Sequence, residues 1–244
     1  MSPYRESAPL TTDWKNFEFD LGDGVATVTF NRPDKLNALT FGTYADLRDL
    51  ITELLTPKMH ELLEFTRMTG AVVTAMREIP IPVIAAVNGT AAGAGTVIAL
   101  AADFRLLSDT ATFAFLFTRV GLAGADMGAA DLLPRIVGLG PATELLMLGN
   151  RIDAQTAREI GLATEVVPHD DLHTAAAGLA QRLADGPAFA YATTKSLLTR
   201  ELDMDLGAAI ELEAITQSLL MHSDDFKEFY DAWHEGRRPN WSGT

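Results

Sequence analysis

The stretch Ile81–Ser108, IPVIAAVNGTAAGAGTVIALAADFRLLS, decides the fold. Val83–Val87 is a short β-branched run, the mark of a buried strand. Asn88-Gly89 punctuates it. Gly93-Ala94-Gly95 then makes a tight turn, and Thr96–Ala102 is apolar nearly all round, which predicts a buried helix. Asp103 ends that helix and Phe104–Leu107 resumes as strand. Strand, glycine turn, helix, strand is the order of an α/β protein. Such a turn aims free backbone N–H groups at whatever sits above the helix N-terminus, which suits an anion or a developing oxyanion. A lone G-x-G is more often a packing turn. There is no Walker pattern and no complete G-x-G-x-x-G, so a nucleotide-phosphate loop is not indicated.

Working outward toward the N-terminus, Phe17–Leu21 and Val25–Phe30 alternate and are joined by Gly22-Asp23-Gly24, a hairpin signal. Thr40 is an N-cap for a helix to about Leu55, with Tyr44, Leu47, Leu50, Ile51 and Leu54 on one face. Pro57 starts another helix to about Glu78, carrying Met59, Leu62, Leu63, Thr66, Val73 and Met76 on one side. Toward the C-terminus, Thr112–Phe117 is a short apolar run and Arg119–Met127 a glycine-rich loop. Helices are expected over Ala129–Val137, Pro141–Leu148 and Ala154–Ile160, then a strand over Ala163–Val167. From Asp171 the pattern is all helical: Leu172–Ala184, Pro187–Arg200, Leu206–Met221 and Asp224–Glu235. Composition shifts near Gly186, so the expected division is a core over 1–185 and a helical region over 186–244.

The chain has 244 residues, 48% of them hydrophobic, enough for a substantial core. Its net charge of −14 argues against nucleic acid or an anionic membrane surface as partner. Without cysteine, disulfides and thiol catalysis are excluded. No signal peptide or run of about 18 apolar residues is visible, and a cytoplasmic enzyme is the default. The five histidines are scattered, and no metal site is read.

Four ordered motifs carry a family resemblance. They are NRPDKLNAL at Asn31–Leu39, PVIAAVNGTAAGAG from Pro82, FTRVGLAGADMGAADLLPRIVG from Phe117, and GNRIDAQTAREIGLATEVVP from Gly149. Together they resemble the crotonase superfamily, the enoyl-CoA hydratases and isomerases, over most of the chain. The resemblance implies a spiral of repeated ββα turns followed by a C-terminal helical oligomerisation region, assembled as a homotrimer or hexamer. It also implies an acyl-CoA thioester substrate of fatty-acid type metabolism. Coenzyme A would then be part of the substrate, with no separate cofactor.

Two departures from the family pattern stand out. Between the helices that abut at Leu55-Thr56, the family has a strand and an F-x-x-G-x-D-type loop that supplies one of two oxyanion N–H donors. Neither is present here, and losing a parallel strand disturbs the sheet order. Because both flanks are intact, residues missing between 55 and 56 are the favoured reading over a true deletion. The second departure is chemical. The two hydratase glutamates correspond to Val97 and Phe117, and neither can transfer a proton.

By motif match, Ala94 offers the surviving N–H toward a thioester oxygen, with Gly93 and Gly95 shaping the turn. Asp126 resembles the aspartate of dienoyl-CoA isomerases. In its apolar loop of Leu122, Ala125 and Met127 it could act as acid or base, or merely cap the loop. Asp131 reads as a surface or supporting residue. Lys35 is the matched residue near the coenzyme A nucleotide, Leu36 and Ala38 would flank the adenine, and Val97 and Phe117 would line the substrate site. Arg237 and Arg238 resemble a basic tail that reaches a phosphate, or are a solvated tail. Enolate chemistry such as double-bond isomerisation is favoured over hydration. A thioester hydrolase, dehalogenase or decarboxylase, or a non-catalytic acyl-CoA-binding relative, are the alternatives.

Intact-mass spectrometry tests the junction. The expected mass is above the 26.3 kDa of these 244 residues. A mass equal to it would mean that the first oxyanion donor is truly lost.

Overall fold

The computed structural model describes residues 14–22, 25–31, 37, 39–53 and 62–243. It falls into two units, one holding Met1–Met76 and Val83–Ala177, the other Arg77–Pro82 and Gly178–Thr244. The expected junction at Leu55-Thr56, the start of the helix at Pro57, and Lys35, Leu36 and Ala38 lie outside the described residues. Gly186, where composition shifts, lies inside the second unit.

The first unit opens with an antiparallel hairpin, β1 (Glu18–Gly22) on β2 (Val25–Thr29), in the expected place. Helix α1 (Phe41–Glu53) follows, and Thr40 caps it: its Oγ1 accepts from Thr43 N at 3.1 Å. Tyr44, Leu47 and Leu50 are buried as their spacing predicts, but so are Thr43, Asp46, Arg48 and Asp49. These polar groups are paired: Asn16 donates to Asp46, and Arg48 to Asp49. Helix α2 (Leu62–Glu78) buries Met68, Thr69, Val72, Val73 and Met76. Thr66, expected on the inner side, is exposed because the buried stripe falls on residues 68, 69, 72, 73 and 76.

The core of this unit is two three-stranded sheets fed by alternate strands. Strands β3 (Ile84–Val87), β5 (Phe104–Ser108) and β8 (Glu165–Val167) run parallel in one. Strands β4 (Thr90–Ala92), β6 (Thr112–Ala114) and β7 (Arg151–Asp153) form the other, β4 parallel and β7 antiparallel to β6. Each turn of chain thus leaves one strand in each sheet and then a helix: β3, β4 and α3 (Ala94–Ala101), then β5, β6, a 3-10 turn (Leu116–Val120) and α4 (Ala129–Val137). This is the ββα spiral that the resemblance implies. The three-residue strands β4 and β7 escape periodicity because three residues do not show an alternation. β3 is half-buried, with Ala86 exposed, where its β-branched run predicts full burial. Among the described residues it pairs with β5 alone, so it stands at the edge of its sheet.

Helices α5 (Leu139–Leu148) and α6 (Ala154–Glu159) complete this part. Asp153 caps α6 through Thr156 N at 2.8 Å. Phe113, Phe115, Leu100, Leu106, Leu107, Leu133 and Leu162 form the fully buried centre. The remaining helices are α7 (Leu172–Ala184), α8 (Ala188–Arg200), α9 (Leu206–Leu220) and α10 (Asp224–Glu235). Asp205 and Ser223 cap the last two. In the second unit Ile210, Ile215, Leu219, Phe226, Phe229 and Trp233 are all exposed. No described helix is long and apolar enough to cross a membrane.

Candidate functional site

Helix α3 is buried along Thr96, Val97, Ala99, Leu100 and Ala101. Its N-terminus is a glycine turn: Gly93 has φ 53° and ψ −121°, a conformation open to glycine. Gly93 N donates to Ala114 O at 2.9 Å, which ties the turn to β6, and Gly93 O accepts from Thr96 N at 3.1 Å. Ala94 is the first helical residue, so helix geometry gives its N–H no intrahelical acceptor. Apart from the flanking chain and the helix's own backbone, no heavy atom of a described residue lies within 4 Å of where a side chain at Gly93 or Gly95 would begin. Among the described residues, the turn thus has room at its glycines.

Val97 is fully buried and Phe117 nearly so, both within the hydrophobic core. Neither position, both matched to hydratase carboxylates by the family resemblance, carries a polar side chain here.

Asp126 sits half-buried just before α4, which packs on α3. Its Oδ1 accepts from Met127 N at 2.9 Å and its carbonyl from Ala129 N at 2.9 Å. Met127 is buried and has φ 52°, a left-handed conformation that a non-glycine residue seldom adopts. Gly128, at φ 89°, then turns the chain into α4. Asp126 thus does make the local backbone bond that a loop-capping aspartate makes. The loop also meets the buried phenol of Tyr44 on α1, through Met127. Burial, and secondarily the charge of Asp126, push that phenol up to about 12. Tyr44 Oη donates to Met127 Sδ at 3.9 Å. Sequence reasoning missed this residue: on the apolar face of α1 it reads as core, and nothing in its spacing points to residue 126.

Asp131 is exposed and pairs with Arg135 one helical turn on, at 2.9 Å, as a surface residue does. Arg237 is engaged by Glu228 and Glu235, and the Arg237 side chain together with Asn240 N holds the Glu228 carboxyl down at about 2. The guanidinium expected to reach a phosphate is therefore occupied within its own unit. A further polar group went unseen in the sequence. Ser108 Oγ and Thr110 Oγ1 lie 3.1 and 3.3 Å from His169 Nδ1, and His169 N donates to Asp109 Oδ1 at 3.1 Å. It joins the ends of β5 and β8 and is structural. Among the described residues, no three His, Asp or Glu side chains could hold a metal ion.

The sequence profile of the enoyl-CoA hydratase/isomerase family matches residues 58–244, beginning just beyond the Leu55-Thr56 junction. The "Probable enoyl-CoA hydratase" of Rhodobacter capsulatus is 33% identical over 260 residues, covering 94% of this chain and 99% of the relative. That alignment is longer than this chain, so the relative carries residues with no counterpart here. The 1,2-epoxyphenylacetyl-CoA isomerase of Escherichia coli is 31% identical, covering 90% of this chain and 95% of its own. A crystal structure from Streptomyces coelicolor A3(2), provisionally described as an enoyl-CoA hydratase, is 53% identical with a TM-score of 0.92, covering both chains completely.

The Asp126 loop is held by a close backbone approach at Gly124. A Cβ there would lie 2.2 Å from Leu146 O on α5. Gly124→Ala should therefore force the loop off α5 and destabilise the fold by about 1–3 kcal/mol, read as a lowered denaturation midpoint. Gly140→Ala, within α5 and meeting nothing within 4 Å, serves as control and should be neutral or slightly stabilising.

Proposed function

The chain belongs to the enoyl-CoA hydratase/isomerase family, and from that premise we propose that it moves a double bond, or does related enolate chemistry, on an acyl-CoA thioester. The reading is carried by the burial of Val97 and Phe117, the positions that the family resemblance matches to hydratase carboxylates, and by the Asp126 carboxylate in the loop leading into α4, which packs on α3. In this reading the Ala94 N–H donates to the thioester oxygen as negative charge develops there. The Asp126 carboxylate takes a proton from one carbon of the acyl chain, giving the enolate, and returns it to another, so no water is consumed. Gly93 and Gly95 keep the approach clear of side chains, while Val97 and Phe117, expected to line the substrate, are buried in the core. Lys35, Leu36 and Ala38 would hold the coenzyme A end, and the coenzyme belongs to the substrate. The E. coli relative, named as an isomerase, supports the reaction class.

The exposed apolar side chains of α9 and α10 support assembly through the second unit, as a trimer or a pair of trimers. Sedimentation at micromolar concentration should show no stable monomer.

Asp126→Asn keeps shape and hydrogen-bonding capacity but removes the titrating group. On a panel of crotonyl-, dienoyl- and aryl-CoA thioesters, its turnover should fall about a hundredfold or more while acyl-CoA affinity changes little. Asp131→Asn should do far less. Vigorous hydration of crotonyl-CoA by a fully active Asp126→Asn variant would overturn both the base and the reaction class. Tight binding without turnover on every thioester would favour a binding protein.

A further inference from the structure

Tyr44 is a buried phenol with a poor partner. It is 7% exposed on α1. Its ring is fixed edge-on against Phe65 at 5.8 Å between centroids, and Phe65 packs on Phe41 at 4.2 Å. With the ring held, the position of the hydroxyl oxygen is held too, and it donates to Met127 Sδ at 3.9 Å. A thioether is a weak acceptor, so the contact does little to compensate the buried hydroxyl. Its placement explains it better. Met127 is the residue held at φ 52°, and its N–H is the donor to Asp126 Oδ1 at 2.9 Å. A left-handed methionine persists where surrounding structure over-determines it. The phenol reaches its side chain from one direction, and the bond from Ala129 N to Asp126 O at 2.9 Å ties the loop from another. Burial, and secondarily the charge of Asp126, push the phenol up.

We propose that Tyr44 is a positioning residue for Asp126, its phenol gripping Met127 so that the left-handed loop presents the carboxylate in one orientation. This rests on the reading of Asp126 as the proton carrier. The chain Tyr44 Oη, Met127 Sδ, Met127 N, Asp126 Oδ1 transmits the rigidity of α1 to the reacting group. Without it the loop has the same residues but a broader set of carboxylate positions, and a misplaced base loses rate without losing binding.

The test is a double-mutant cycle with Tyr44→Phe, which keeps the ring, and Met127→Leu, which keeps the volume and removes the sulfur. Each is also combined with Asp126→Asn. Each single variant should lower kcat about tenfold with KM within about twofold. The double variant should be no worse than either single, because both break one link. In the Asp126→Asn background Tyr44→Phe should change nothing further. Tyr44→Phe at wild-type kcat, with Asp126→Asn inactive, would overturn the positioning role and leave the base in place. Additive losses, or losses in KM alone, would mean ordinary packing and overturn it too. Asp126→Asn at wild-type activity would overturn the base itself, and the positioning role with it. Circular dichroism confirms folding, and Met127→Leu carries the test should Tyr44→Phe fail to fold.

Discussion

Burial of α3 is the constraint on which the rest depends. A buried helix must satisfy its terminal backbone groups from its surroundings, and the two ends of α3 are treated differently. The C-terminal end is closed. Arg105 Nη1 donates to Leu100 O and Ala102 O, and its Nε donates to Leu162 O at 2.7 Å. A guanidinium there also opposes the negative end of the helix dipole. Asp103 Oδ2 accepts from Val83 N at 2.8 Å, stitching the helix exit to the strand entry. The N-terminal end is treated otherwise: Gly93 is anchored to β6, Ala94 N–H has no helical acceptor, and apart from the flanking chain and the helix's own backbone no described atom lies within 4 Å of where a side chain at Gly93 or Gly95 would begin.

The sheets follow from this helix. β3 and β5 run parallel, which requires a crossover; that crossover holds β4 and α3, and it carries β4 into the second sheet. The next turn repeats the pattern with β5, β6 and α4, and delivers the Asp126 loop to the N-terminus of α4. Polar links close the far ends, as where Ser108 and Thr110 meet His169. Strand β3 is half-buried. Among the described residues it pairs with β5 alone.

Helix α1 shows where local pattern stops being informative. Its 3.6-residue spacing marks one apolar face, and that face is buried. Yet residues 43–50 are buried without interruption, charges included. They tolerate burial because Asn16 and Asp46, and Arg48 and Asp49, compensate one another. Residue 16 lies thirty positions away in sequence, so no window along the helix could show that pairing. Tyr44 belongs to the same class. Its spacing says core, and only the arrival of residue 127 from another part of the chain makes it a neighbour of a carboxylate.

The sequence by itself determined the α/β class, the order and near-exact limits of the long helices, and the glycine turn before α3. These are local properties: hydrophobic period, capping residues and glycine spacing act within a few residues of chain. The tertiary structure decided the distribution of strands between two sheets, the short strands β4 and β7, the engagement of Arg237 by Glu228, and the meeting of Tyr44 with the Asp126 loop. Such features exist only between segments distant in sequence. Three-residue strands hold their shape through ladder bonds to neighbours, and a tyrosine's chemistry depends on which groups share its dry surroundings, so neither is written in local pattern.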